Sequence, residues 1–351
     1  MFAIFRAKYS QEYKWLYATP AIQLFWVNMH IYFIFGPALL LFFLIDRFFD
    51  NKKNLKQFQN LKLIFILTLL ATLINPNGIY GAIAPLTIFS NYGYSIVENQ
   101  SILFLKNYGI FLTKINIFVL ATILFFLSFI PALKKYGARG YIFETITSFT
   151  FTILGFYMLR NIGPFSIIFI PIFSLNFQTW LSGFSFNKKI KAGIYVLMIV
   201  ICLFVLKSIT NNSFYSWAGS GDKFGLEISA SAEKGVNFVL ENKISGPVFN
   251  NFDVGSYLIW KLYPSQKVFV DGRPEAYSVD FFQKIYIPMQ ESPELWKRYS
   301  DQYKINYIFF DYHDITPWAQ TFLSFISQDK NWPLVYQDNS VVIFVRRSPL
   351  K

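Results

Sequence analysis

Residues 250–278, NNFDVGSYLIWKLYPSQKVFVDGRPEAYS, gather the side chains best suited to chemistry: Asn250, Asn251 and Asp253, then Asp271, Arg273 and Glu275 around Gly272 and Pro274. Each polar cluster follows a short apolar run, 247–249 and 267–270, the pattern of a buried strand opening into a loop. In an α/β sheet, loops beyond the carboxyl ends of neighbouring strands meet in one crevice. Asp253, Asp271, Arg273 and Glu275 are therefore a candidate acceptor or loop site. A guanidinium there can grip a ligand with two parallel hydrogen bonds, or it can close on Asp271 or Glu275 as a structural fork. The sequence leaves both readings open.

A second group lies in the apolar part of the chain. Arg160 in LRNIGP falls at the expected outer end of one span, with Asn161 and Pro164 starting the next. A planar, permanently charged fork at headgroup depth suits a phosphate or diphosphate; an arginine that only anchors a helix end is the alternative. His30, beside Asn28, is expected at a hairpin tip on the same side, either as a polar contact to a lipid-linked substrate or as a packing residue. Arg160, His30 and Asn161 form the candidate phosphate site. Glu98 is the only acid in the loop 75–113 and is the sole candidate there for acid–base work. Asn75, Asn77 and Gly78 in INPNG are expected to stop a helix and turn. His313, just ahead of Asp314, Thr316 and Pro317, is expected in a helix-capping segment.

Other chemistries find no residues. Two histidines and the single Cys202 make no zinc-type cluster, and there is no Ser-His-Asp set or Gly-rich phosphate loop. No metal or cofactor is expected. The net charge of +12 arises in residues 1–210, where 18 Lys or Arg meet five acids; residues 211–351 hold 14 basic and 15 acidic residues. The basic residues sit in short loops between apolar runs, which marks topology and not a nucleic-acid footprint.

The elements that must position these groups are mostly hydrophobic helices, in a chain that is 54% hydrophobic with 42 Phe. Residues 1–17 carry Arg6, Lys8, Glu12 and Lys14 and resemble an amphipathic or loop segment, not a signal peptide. Residues 17–49 are too long for one upright span of about 20 residues and short for two; either a tight hairpin turning near 28–30 or one tilted helix accommodates them. Further spans are expected at 62–76, 113–133, 142–159, 163–181 and 190–209, about six to seven in all. With the hairpin, 14 of the 18 basic residues fall on one side and only Lys106, Lys114, Arg160 and Lys207 on the other. The positive-inside rule makes the first side cytoplasmic and places residues 229–351 outside, after a linker at 211–228. Alternating helices and strands there, with strands at 247–249, 267–270, 307–310, 334–336 and 341–345, predict a small extracytoplasmic α/β domain after the α-helical polytopic membrane domain.

Four segments, QLFWVNMHIYFIFG, LINPNGIYG, LRNIGPF and PVFNNFDVGSYLIWKLYPSQKVFVDGRPEAY, resemble in that order a group of bacterial integral membrane proteins related to the GT-C superfamily. Those enzymes transfer sugars from polyprenyl phosphates. The resemblance covers nearly the whole chain, and VDGRPEAY is its most specific part. It implies a protein of the bacterial cytoplasmic membrane whose partners are membrane lipid and a polyprenyl-phosphate-linked sugar. Members of the superfamily carry a catalytic acid, usually Asp, in the first outer loop; no residue here matches that motif. The expectation is therefore a GT-C-type glycosyltransferase or the carboxyl-terminal part of one, with an amino-terminal half or partner chain supplying the acid. The alternative is a non-catalytic, membrane-anchored surface-binding or partner protein. Transport is disfavoured because the spans carry almost no charge apart from Glu144.

Overall fold

The computed structural model describes residues 1–50, 54–87, 93–94, 96–107, 109–183, 187–218, 223–225 and 232–347. The expected linker at 211–228 lies partly outside the described residues. The chain divides into two compact units, Met1–Ser90 with Ile96–Phe224, and Asn91–Ser95 with Gly225–Lys351. The chain is mostly helical, with a small sheet near its carboxyl end.

The first unit begins with α1 (Phe2–Ser10), a short 3-10 turn (Tyr13–Ala18) and α2 (Thr19–Val27), which opens with Pro20 in its first turn. Residues 28–30 break the helix: His30 is extended, and its Nδ1 accepts from the Tyr32 amide before α3 (Phe35–Phe48) begins. Asn28 donates to the carbonyls of Leu24 and Ile74, which fixes the tip. Gln23 donates to the Phe33 carbonyl at 3.0 Å, so the chain folds back across this break. Then come α4 (Leu55–Ala71), α5 (Gly78–Thr87), α6 (Ile102–Asn107), α7 (Leu112–Gly140), α8 (Ile142–Tyr157), α9 (Ile162–Ser182), α10 (Lys188–Thr210) and α11 (Ser213–Trp217).

Among the described residues, four helical segments are long and apolar enough to cross a membrane: Ile31–Phe48, Leu112–Gly140, Leu159–Ser182 and Lys188–Thr210. The expected spans at 62–76 and 142–159 correspond to helices of 17 and 16 residues, shorter than the about 20 that an upright span needs. The phenylalanines supply the packing. Phe125 lies within 6 Å of Phe129, Phe165 and Phe169, joining α7 to α9, and Phe118 packs on Phe165 and Phe156. A Cβ at position 155 would stand 2.7 Å from the Phe118 ring, so glycine lets α7 and α8 meet.

This unit also buries charge that the sequence reading did not foresee. Lys8 Nζ contacts Asp46 Oδ1 at 2.7 Å and Glu144 Oε2 at 2.6 Å, joining α1, α3 and α8. Tyr9 donates to Glu144, Arg47 pairs with Asp46 and Asp50, and the Phe143 amide donates to Asp46. Asp46 and Glu144 are 1% and 0% exposed, so an unpartnered carboxylate here would be costly. Glu144, the charge that the sequence reading excepted, is thus paired with Lys8, which arrives from α1 across 136 residues of sequence.

The second unit is a mixed sheet in the order β1-β2-β4-β3, from β1 (Val248–Asn250), β2 (Tyr307–Asp311), β3 (Leu334–Gln337) and β4 (Val341–Val345). β1 pairs parallel with β2; β4 pairs antiparallel with both β2 and β3. The turn between β3 and β4 is held by Asp338, which accepts from the amides of Ser340 and Val341. Helices α12 (Glu233–Glu241), α13 (Phe252–Leu262), α16 (Pro293–Gln302) and α17 (Pro317–Ile326) cover the sheet. Between α13 and α16, α14 (Val279–Phe281) runs through a π turn (Phe282–Tyr286) into α15 (Ile287–Glu291).

The expected strand at 267–270 is not formed. Asn250 takes its place as the connector: its Oδ1 accepts from the Phe269 amide and its Nδ2 donates to the Val270 carbonyl, so one buried side chain substitutes for a strand ladder. Gly255 permits this, because a Cβ there would collide with the Val270 carbonyl. Gly93 and Tyr94, far upstream in sequence, also belong to this unit. The Tyr94 ring stacks on Phe252 at 4.5 Å and lies within 6 Å of Phe282, Tyr286 and Trp318.

Candidate phosphate site at Arg160

The site forms where helix geometry fails. α8 ends at Met158 in extended conformation, a single 3-10 turn (Leu159–Asn161) follows, and α9 starts at once. The last carbonyls of α8 would lack partners at such a break. Asn161 bridges the break, donating from Nδ2 at 3.0 Å to the Leu154 carbonyl, which also accepts from the Met158 amide. Its Oδ1 accepts from the Tyr32 hydroxyl at 3.1 Å, and the same hydroxyl reaches the Arg160 carbonyl. Tyr32 in turn packs beside His30, with ring centres 4.8 Å apart. Arg160, Asn161 and His30 are thus brought together, with Tyr32 as the joint.

The guanidinium of Arg160 lies over the Tyr32 ring and donates from one Nη to Asn99 Oδ1 at 3.2 Å. Its Nε is buried with no partner, and no carboxylate among the described residues pairs with it. Beside it is a cavity of about 140 Å³ whose walls are mostly apolar, including Ile31, Phe35, Pro85 and Met158. An unpaired cation at the end of an apolar slot is chemically matched to an amphiphile with an anionic head. Glu98 is exposed in the 3-10 turn Val97–Asn99, next to the residue that holds the guanidinium. The Leu159 amide donates to the Gln100 carbonyl, tying that segment to the α8–α9 break.

No protein-family model matches the chain, and no curated protein matches it. The chemistry of the site therefore rests on its own geometry.

The four residues of the loop in the second unit are placed differently. Arg273 donates from Nε to Asp271 Oδ1 at 2.9 Å and from Nη2 to Oδ2 at 2.6 Å, the closed fork that was the alternative reading. The Arg273 amide also donates to Asp271, holding that carboxyl below the usual range; the Arg273 guanidinium is pushed up by the same hydrogen bonds. Asp253 is exposed in the first turn of α13, and Glu275 is exposed in the turn Pro274–Ala276. At the carboxyl ends of β1 and β2 the structure joins Asn251 to Asp314, a pairing that the sequence reading did not foresee. Asn251 accepts from the Asp311 amide and donates to Asp314 Oδ2 at 3.3 Å. Asp314 accepts from the amide and hydroxyl of Thr316, so it fixes the start of α17. His313 is exposed with its Nδ1 3.1 Å from Asp311 Oδ1. Asn75 donates to the carbonyls of Thr72 and Gly78, which makes INPNG the stop of α4 and the start of α5.

Proposed function

We propose that the chain binds a polyprenyl phosphate at Arg160 and acts as a GT-C-type membrane glycosyltransferase. The observation that carries this reading is the unpaired Nε of Arg160 beside an apolar cavity. The phosphate meets the guanidinium, Asn161 and His30 stand beside it, and the first isoprenoid carbons enter the slot walled by Phe35 and Met158. In the transfer, the bond between the anomeric carbon and the phosphate oxygen breaks, and an acceptor hydroxyl forms the new bond. Arg160 stabilises the leaving phosphate, an electrostatic task needing a fixed donor more than a strong base. Glu98 is the carboxylate nearest in sequence to Asn99 and takes the acceptor proton. In this reading the protein is integral to the bacterial cytoplasmic membrane with its carboxyl-terminal unit outside, an orientation supported by the distribution of its lysines and arginines.

A second reading, a non-catalytic membrane-anchored binding protein, draws support from the closed Asp271–Arg273 fork, which engages Nε and Nη2 of that arginine within the protein. Purified protein in nanodiscs, titrated with polyprenyl phosphate and with the uncharged polyprenol, tests the shared premise. Preference for the phosphate that vanishes in Arg160→Ala supports the site; equal affinity for both lipids, or unchanged binding by the variant, removes it. Release of polyprenyl phosphate from a polyprenyl-phosphate sugar, lost in Glu98→Gln, then separates the enzyme from the binding protein.

A further inference from the structure

A second cavity, of about 590 Å³, lies wholly within the carboxyl-terminal unit. Its walls come from α16, from the turn after α17 and from the chain leaving β4. Arg346 is the central group. Its Nε donates to the Ile305 carbonyl at 2.8 Å, one Nη pairs with Asp301 at 2.7 Å, and its face covers the Trp332 ring. These contacts fix the guanidinium, yet Nη2 has no partner. Trp296, 1% exposed, also lines the cavity, and its indole Nε1 is unpaired. A native interior leaves few such donors unmatched, so two on one cavity point to an acceptor-bearing ligand.

The remaining charges narrow its chemistry. Lys297 and Arg347 line the same cavity and have no carboxylate partner among the described residues. Three acids face them: Asp301 is engaged by Arg346, Asp329 accepts through Oδ1 from Asn331, and Glu294 accepts from the Ser292 hydroxyl. Asp329 Oδ2 and the second oxygen of Glu294 remain available as acceptors. A bare anion would meet three carboxylates, and a neutral sugar would leave the cationic donors unmatched. A ligand carrying one carboxylate among several hydroxyls meets both sets at once. The volume falls within the range of small-molecule sites, about 300–1,000 Å³.

We infer that this cavity, formed around Arg346, Trp296, Lys297 and Arg347, binds a uronic-acid-type saccharide, its carboxylate toward the arginines and its hydroxyls toward Asp329 and Glu294. The site is independent of the lipid-phosphate site and stands or falls separately.

The test uses the full chain in nanodiscs, titrated by calorimetry with digalacturonate, maltose and an Asp-Ser dipeptide. Saturable binding of digalacturonate, tighter than maltose by tenfold or more, is expected. Lys297→Gln with Arg347→Gln, both at the cavity rim, is expected to weaken it by a similar factor without altering the thermal unfolding of the protein. Arg160→Ala is expected to bind digalacturonate normally. Equal binding of maltose overturns the carboxylate recognition, and preference for the dipeptide makes the cavity a peptide site instead. Absence of binding by all three, or loss of digalacturonate binding in Arg160→Ala, overturns the inference.

Discussion

Arg160 and Asn99 meet at 3.2 Å, guanidinium to side-chain carbonyl, and this neutral contact is the only side-chain hydrogen bond the arginine makes among the described residues. A carboxylate in place of Asn99 would consume the charge; an amide orients the fork and leaves its charge for a ligand. Asn99→Asp is therefore expected to lower polyprenyl-phosphate affinity by about tenfold or more while stabilising the fold slightly, in keeping with about 1–3 kcal/mol for a charged hydrogen bond. Arg160→Lys keeps the charge but not the fork and should fall between wild type and Arg160→Ala. Lipid titration in nanodiscs checks the order of the three variants.

Lys8 carries a different burden. Replacing it by Met strands Glu144 with only Tyr9 as partner, whereas Asp46 still has Arg47. A loss of about 3–5 kcal/mol is expected for breaking a buried pair from one side. Adding Glu144→Gln should recover most of that loss, while adding Asp46→Asn should recover less. Thermal unfolding in detergent, compared across the single and double variants, measures this; equal rescue by both second changes would refute the stated division of labour.

In the carboxyl-terminal unit, Asn250→Ala removes both hydrogen bonds that hold 267–270 against β1. The expected cost is about 2–4 kcal/mol, since a buried amide and carbonyl each lose a partner. Gly255→Ala should be worse than a simple overpacking change, because the added carbon meets backbone and not a side chain that can turn away. Protease resistance of residues 232–347 in the full chain reports both.

Acid should act on the Asp271–Arg273 fork. The carboxyl of Asp271 is held below its ordinary value of 3.8, chiefly by the Arg273 side-chain hydrogen bonds. A depressed folded-state value gives stability that is present above the unfolded value and is lost as pH falls through the folded one. The wild type should thus lose stability below about pH 4, relative to Asp271→Asn, which lacks that titration. Identical acid profiles for the two proteins would show that the fork contributes nothing.

Much of this architecture is written in local patterns. The strands at 307–311 and 341–345, the Pro317 start of α17 and the helix break at 28–30 all follow from residues within a few positions of each other. Arg160 and Asn161 also stood out, since an arginine between two apolar runs is rare enough to notice. What escaped were partnerships over long separations. Nothing near Lys8 signals that it will neutralise Glu144, and no local pattern shows that Asn250 would replace a strand at 267–270 by side-chain bonding. The cavity around Arg346 was equally hidden, because it joins α16, a turn and a chain end that sequence order keeps apart.

The position of Tyr94 limits how the protein can be dissected. Its ring fills a slot between Phe252 and Trp318, yet 130 residues separate it from Gly225, where the rest of that unit resumes. A polypeptide cut to begin at Gly225 would carry four aromatic rings around a vacancy the size of a phenol. Such a fragment would gather around a substitute, whether water, detergent or another chain, and would misreport both its own stability and its ligands. Supplying the missing tyrosine in trans, as a short peptide, would restore the unit in the way a removed key is returned to its lock.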